Sequence, residues 1–318
     1  MKILVTGCAG FIGFHLSNYL LKNNYDIIGI DNLNNYYDVN LKKNRLKNLS
    51  QFNTSFKFEK IDISNKKILN KNFTKNKYDY VIHLAAQAGV RYSFENPEKY
   101  IDVNIFGFLN LINEANQKKI KKILYASSSS VYGENTNFPL KEIEKLNPKN
   151  IYGVSKKLNE EIAEMYQKIY KIKFIGLRFF TIYGEWGRPD MFMLKLFRAH
   201  MTKNIFYLNN YGNHLRDFTY IGDILKIINK LLKLKLKKHE VFNLCSNNPM
   251  NIFDIVKDFK KHRKVKVKLI KMHKADILKT HGSNLKINKY IKKIKYSKFY
   301  KTFYKTFYWY KKNNIYKY

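Results

Sequence analysis

The segment Gly7-Cys8-Ala9-Gly10-Phe11-Ile12-Gly13 constrains this chain more than any other. It follows a short apolar run at 2–6 and precedes an amphipathic stretch that reaches about residue 22. Three glycines spaced by three, set between a strand and a helix, allow a sharp turn, a close backbone approach to a pyrophosphate and tight helix–strand packing. The helix start then offers unpaired N–H groups and partial positive charge to phosphates. A glycine triplet alone also suits an ordinary turn. With the strand before it and the helix after it, the loop points to dinucleotide binding.

Further apolar runs at 27–31, 56–62, 80–86, 121–130 and 173–180 read as strands, and 97–117 and 152–170 as helices. Residues 34–55 read as a polar, Asn-rich connection with some helix. Strands alternating with helices predict an α/β fold built on a doubly wound parallel sheet. After residue 180 the rhythm changes, with Gly, Pro, Trp and Arg in loops around 181–190 and 207–217. We therefore expect one domain over 1–180 and a smaller α/β domain over 181–318, with 218–240 able to return to the first. The aromatic stretch at 299–312 suits an amphipathic terminal helix.

The net charge is +36, and beyond residue 190 there are 31 basic against 6 acidic side chains. That excludes an acidic surface and raises a polyanion reading, set against a Lys-heavy background spread over tolerant surface. No nucleic-acid motif accompanies the charge, so no specific nucleic-acid partner is expected. An apolar content of 45% excludes a wholly disordered chain. Cys8 and Cys245 make no disulfide framework, and no metal-ligand spacing occurs. No run of about 18 apolar residues suits a membrane span. The glycine loop begins so near the start that we expect no leader and a cytoplasmic protein. His83 reads as a core side chain and Cys8 as a small loop filler.

Asp31 closes the second strand, where a carboxylate can accept both adenosine ribose hydroxyls and repel a 2′-phosphate. NAD is thus favoured over NADP. Asp62, after the third strand, is a candidate for the adenine amino group. Tyr152 and Lys156 share a helix face at i,i+4. The same spacing recurs at Tyr308 and Lys312, so context must decide. Only Tyr152 is preceded by a serine, Ser128, at the carboxyl end of a strand, where open α/β sheets bind ligands. A phenol titrates near ~10, and a nearby ammonium and an oxidised nicotinamide would favour its phenolate. Tyr152 could then take a proton from a sugar or alcohol hydroxyl, with Ser128 bonding the same oxygen and Lys156 holding the nicotinamide ribose.

The blocks TGCAGFIG (6–13), HLAAQAGVRYS (83–93), SSSSVYG (127–133), YGVSK (152–156), RFFTIYGEWGRPDMF (178–192) and RDFTYIGD (216–223) lie in order along the chain. Together they resemble extended short-chain dehydrogenases/reductases of the nucleotide-sugar epimerase/dehydratase family, and most of all its UDP-glucuronate 4-epimerases. The resemblance implies a Rossmann NAD-binding domain and a nucleotide-sugar substrate domain. For NAD it implies Gly7, Gly10, Phe11, Ile12, Gly13, Asp31, Asn32, Asp62, Ile63, Leu84, Ala85, Ala86, Gln87, Asn104, Tyr152, Lys156 and Phe179. It implies Ser128, Tyr152 and Lys156 as catalytic. Four of the seven arginines fall in these blocks, against 53 lysines overall. By resemblance Arg216 would bind the diphosphate, Arg188 the nucleotide-sugar, and Arg91 would stand near the site's mouth. Ser129, Ser130, Thr181 and Asp276 join them as substrate contacts. A homodimer pairing through 97–117 and 152–170 is likewise implied.

The serine run separates reactions. Related 4,6-dehydratases resemble T-D-E-V-Y-G here and decarboxylases T-S-E-V-Y-G, whereas this chain has Ser128-Ser129-Ser130-Val131-Tyr132-Gly133 without the acid. That favours oxidation and re-reduction at one carbon, and the resemblance implies that this is C4, converting UDP-glucuronate to UDP-galacturonate. Alternatives are a 4-epimerase of UDP-glucose or UDP-N-acetylglucosamine, a UDP-glucuronate decarboxylase, or a non-enzymatic scaffold that binds RNA through its basic C-terminal region. The match fades beyond about residue 240, where the family's P-G-D stands as Lys274-Ala275-Asp276 and its S-A-D as Gly282-Ser283-Asn284.

Overall fold

The structure is a computed structural model that describes residues 1–273, 275–292 and 294–317, so Lys274 lies outside the described residues. Its strands are β1 (Lys2–Thr6), β2 (Asp26–Asp31), β3 (Phe56–Lys60), β4 (Tyr80–His83), β5 (Lys122–Ser128), β6 (Lys173–Phe179), β7 (Thr181–Tyr183), β8 (Ile205–Asn209), β9 (Leu215–Tyr220), β10 (Glu240–Leu244), β11 (Pro249–Asn251) and β12 (Lys266–Ile270). Seven of them form one sheet in the order β3-β2-β1-β4-β5-β6-β10. Every neighbouring pair in it is parallel. The fold is the doubly wound α/β arrangement that alternating strands and helices predict.

The pleat sorts the core. Ile3 and Val5 face one hydrophobic layer with Leu16, Leu20, Ile224 and Ile228. Leu4, between them, faces the other with Phe108, Leu111 and Phe174. Both faces are covered, which is why these strands are nearly continuous apolar runs. Each such side chain contributes ~1.5–3 kcal/mol when fully buried. A third cluster gathers Phe197, Phe259, Phe303, Phe307 and Tyr310, the last three from the terminal helix Phe299–Lys312.

The sheet runs outward from β1 in both directions, to β2 on one side and β4 on the other. A crevice opens at such a switch, beyond the carboxyl ends of the strands. Gly7, Asp31, Leu84 and Ser128 all stand at those ends.

Several elements depart from the sequence reading for local reasons. The strand expected over 80–86 stops at His83, because Leu84 and Ala85 turn their N–H groups to the Thr6 hydroxyl at 3.2 and 3.0 Å. The strand expected to reach 130 stops at Ser128, whose Oγ caps the following turn by accepting from Ser130 N at 3.1 Å. The strand expected over 56–62 ends at Lys60. The expected helix 97–117 is interrupted. A wider π turn at Ile101–Phe106 precedes the regular helix Gly107–Gln117. There Asn104 turns inward, accepting from Gln87 N at 2.8 Å and donating to Ser155 Oγ at 3.0 Å. Within 34–55 the helix Val39–Ser50 is capped by Asp38, which accepts from Asn40 N. The region 207–217 is not all loop: β8 pairs with β12, and β9 lies between β7 and β11.

Candidate active site

The glycine loop begins the site. Gly7 has φ +72°, a left-handed conformation, and a Cβ there would stand 2.7 Å from Ala85 N. A Cβ on Gly13 would collide with the Gly7 carbonyl. A side chain at Gly7 would run into the Leu84–Ala85 backbone, and one at Gly13 would push the helix Phe11–Leu21 off the loop. Asp31 reaches back to this loop, accepting from Ala9 N at 3.2 Å and from Leu33 N at 2.8 Å. Burial raises its pKa, opposed by the nearby Lys42 charge and these N–H donors. The Thr6 hydroxyl accepts two backbone N–H bonds, so its own proton goes to His83 Nδ1 at 2.8 Å. His83 is therefore neutral with its proton on Nε2. Burial and the charge of Lys156 hold its pKa down at about 3. It is a core side chain that helps fix the Leu84–Ala85 turn.

These residues enclose one cavity of about 250 Å³. Of the residues expected to hold NAD, Gly7, Gly10, Phe11, Ile12, Gly13, Asp31, Asn32, Ile63, Leu84, Ala85, Ala86, Gln87, Tyr152, Lys156 and Phe179 line it. Asp62 and Asn104 stand behind its wall. Asp62 accepts from Asn32 Nδ2 at 2.8 Å and Ser64 Oγ at 2.7 Å. Burial works to raise its pKa, but those bonds outweigh it and hold the carboxyl below its usual range. Asn104 clamps Gln87 through both of that residue's backbone groups. A cradle that admits backbone but no Cβ, with a buried carboxylate at the second strand's end, fits a dinucleotide with a free 2′-hydroxyl.

Ser128, Tyr152 and Lys156 line the same cavity. The Asn150 side chain caps their helix Ile151–Tyr170 by accepting from Gly153 N at 2.8 Å. Tyr152 is partly exposed, into the cavity it lines. Enclosure raises its pKa, while a hydrogen bond with Ser128 and the Arg188 charge pull the other way. The lowering expected from sequence is thus absent in the chain alone, where desolvation dominates. Lys156 is 1% exposed, and burial lowers its pKa to about 8.

Beneath the serines lies a buried ion pair. Arg178 donates to Glu160 through Nε at 2.9 Å and Nη2 at 2.7 Å. Ser127 donates to the same carboxylate, and Arg178 Nη1 donates to Tyr132 Oη at 2.8 Å. This network ties β5, β6 and the helix Ile151–Tyr170 together.

The residues expected to contact substrate are dispersed. Arg188 lines the main cavity and donates to Asp190 at 3.0 and 2.7 Å. Burial opposes its charge, but Asp190 holds it protonated. Thr181 lines a smaller cavity of about 30 Å³ that shares Arg188 and Met191 with the larger one. Ser129 and Ser130 occupy the turn after Ser128 and line neither cavity. Arg91 and Asp276 also line neither and bond each other at 3.2 and 2.8 Å. Arg216 donates to the carbonyls of Leu215 and Leu278, each at 3.0 Å, and burial lowers its pKa to about 10 against the pull of Asp276.

Sequence reasoning missed Asn34, Tyr36, Tyr37 and Lys42, which line the cavity, and the fully buried Arg45 behind it. The available signal was Lys42 and Arg45 spaced i,i+3 on one helix, in a stretch treated as a connection. Among the described residues no cluster of His, Cys, Asp or Glu could hold a metal ion. No helix among them is long and apolar enough to cross a membrane.

Residues 3–245 match the model of the NAD dependent epimerase/dehydratase family. The chain is 41% identical over 303 residues to UDP-glucuronate 4-epimerase 4 of Arabidopsis thaliana, covering 89% of this chain and 69% of that one. Its structure resembles the UDP-glucuronic acid 4-epimerase of Bacillus cereus in complex with UDP-glucuronic acid and NAD. The TM-score is 0.91 at 30% identity, covering 98% of this chain and 99% of that one. It also resembles the UDP-N-acetylglucosamine 4-epimerase of Methanobrevibacter ruminantium. There the TM-score is 0.88 at 27% identity, and 98% of each chain is covered.

Proposed function

The chain belongs to the NAD-dependent epimerase/dehydratase family, and from that premise we propose that it epimerises UDP-glucuronate to UDP-galacturonate at C4. It is an NAD-dependent UDP-sugar epimerase in its fold and family. The observation that carries the finer reading is the run Ser128-Ser129-Ser130, whose first member bonds Tyr152, with hydroxyls where an elimination catalyst would need an acid.

The glycine loop and Asp31 would hold NAD, with Lys156 on the nicotinamide ribose. The chemistry NAD supplies there is reversible hydride acceptance, which takes C4 of the sugar to a ketone and back. Tyr152 removes the 4-OH proton and later returns one. Ser128 bonds both the phenol and the sugar oxygen, so the proton moves along a short, fixed path. Because enclosure raises the resting Tyr152 pKa, the phenol is neutral until positive charge gathers around it. Lys156, still largely protonated at neutral pH with a pKa of about 8, is one such charge.

A 4-keto uronate is a β-keto acid and can lose carbon dioxide. Retaining it requires the carboxylate to be held where that bond does not align with the ketone. Ser129, Ser130, Thr181 and Arg188 are the groups we assign to the carboxylate and its sugar. Arg216, Arg91 and Asp276 are assigned to the nucleotide end. Arg216 suits a diphosphate, since its bonds go to carbonyls rather than to a carboxylate.

Incubation with UDP-glucuronate and, separately, UDP-N-acetylglucosamine, with products resolved by NMR, tests this reading. UDP-galacturonate from the first and no product from the second supports it. Turnover of the N-acetylhexosamine alone, or release of a UDP-pentose, overturns it. We further propose a homodimer through the exposed apolar residues Phe94, Ile101 and Phe106 on one segment and Val154, Met165 and Ile169 on the catalytic helix. Sedimentation at the monomer mass would refute that.

A further inference from the structure

We propose that Arg45 is a positioning residue for the sugar-nucleotide end of the site, holding the backbone of Trp186 and Gly187 against the glycine loop so that Arg188 stands in one place. The inference rests on the epimerase reading for the role of Arg188.

Arg45 lies on the helix Val39–Ser50 and is 0% exposed. Its Nη1 donates to the Ala9 carbonyl of the glycine loop at 2.8 Å and to Tyr37 Oη at 2.7 Å. Its Nη2 donates to the carbonyls of Trp186 at 2.6 Å and Gly187 at 3.2 Å. The next residue is Arg188. One place earlier, the Glu185 carbonyl is bonded by His15 Nε2 at 2.7 Å, from the helix that starts at the glycine loop. Three consecutive carbonyls are thus held by the two helices that flank the cofactor cradle.

The held segment would not adopt this shape by itself. Trp186 has φ +57°, in the left-handed region that disfavours a non-glycine residue. Such a conformation persists only where its surroundings over-determine it. Here they are Arg45 on the carbonyl and the rings of Phe14 and Trp309 on the indole, at 5.5 and 5.1 Å between centroids.

The chemistry of Arg45 suits positioning better than bulk stability. Its hydrogen bonds go to three carbonyls and a phenol, none goes to a carboxylate, and Nε has no partner among the described residues. Burying a guanidinium without a bonded carboxylate is costly, and an apolar side chain would fill the same space more cheaply. A planar fork, however, can grip two segments that lie 36 and 141 residues from its own position with donors fixed in one plane, which an ammonium does not offer.

The test is a double-mutant cycle on the NAD-bound protein, with Arg45→Met, Arg188→Met and their combination. It reads KM and kcat for UDP-glucuronate, with retained NAD and circular dichroism as controls on folding. Contacts in one network couple by an amount equivalent to roughly tenfold in KM. We expect Arg45→Met to raise KM about that much, Arg45→Lys to recover part of it, and the double variant to be no worse than Arg188→Met. A wild-type KM in Arg45→Met, or effects that multiply in the double variant, overturns the proposal. If Arg45→Met does not fold, Arg45→Lys with Arg188→Lys carries the same cycle. If the wild type turns over no UDP-sugar, the epimerase reading has failed by itself, and the cycle is read in the affinity for UDP-glucuronate by calorimetry with the same two outcomes.

Discussion

Lys156 should make stability depend on pH in a window that a single substitution removes. Its ammonium is buried, and desolvation lowers its pKa from 10.5 to about 8. The unfolded chain returns it to the ordinary value. Between about pH 8 and pH 10.5 the unfolded chain therefore binds more protons at this site than the folded chain. Stability must rise with pH across that window. Below it the full penalty of the buried ammonium is present, and above it the side chain is neutral in both states. At ~1.36 kcal/mol per pKa unit the whole rise is about 3 kcal/mol. The assay is urea unfolding of nucleotide-free protein from pH 7 to 10.5, for the wild type and Lys156→Met. Other lysines titrate in the same range, so the difference between the two curves carries the result. The variant should be more stable at pH 7, and that advantage should shrink by about the same amount on reaching pH 10.5. Parallel curves would refute the reasoning, and with it the idea that this ammonium is buried at a desolvation cost.

Tyr152→Phe should lower kcat by about 10²–10⁴ with folding and NAD retention unchanged, measured by NMR progress curves and absorbance. Arg178→Met leaves Glu160 buried with the Ser127 donor alone from its present side-chain partners, and should cost ~3–5 kcal/mol in urea unfolding. Adding Glu160→Gln should recover part of that loss. Gly13→Ala places a methyl against the Gly7 carbonyl, and the purified protein should no longer retain NAD.

The cofactor cradle was legible because backbone geometry demands particular residues there. Only glycine fits at Gly7 and Gly13, and only a short carboxylate at Asp31 reaches back to Ala9. The pair Tyr152 and Lys156 was legible through helical spacing and Ser128 before it. Arg45 and Lys42 were not. They lie in an Asn-rich stretch with a weak apolar pattern, and the carbonyls that Arg45 bonds, those of Ala9, Trp186 and Gly187, are distant in sequence. The π turn at Asn104 was equally hidden, since it is set by tertiary bonds to Gln87 and Ser155 rather than by local propensity. Conversely, the large Lys excess drew attention to polyanions, while four of the five cations in the motif blocks are arginines, Lys156 being the fifth. Two of them proved structurally distinct: Arg178 is sealed in an ion pair, whereas Arg188 lines the cavity.

The central claim is oxidation and re-reduction at one carbon, and turnover of UDP-glucuronate in D₂O followed by proton NMR tests it most directly. Hydride that leaves and returns without meeting solvent predicts UDP-galacturonate with full protium at C4 and no loss of the carboxylate. Deuterium at C4, a UDP-pentose as the main product, or no reaction at all would contradict it.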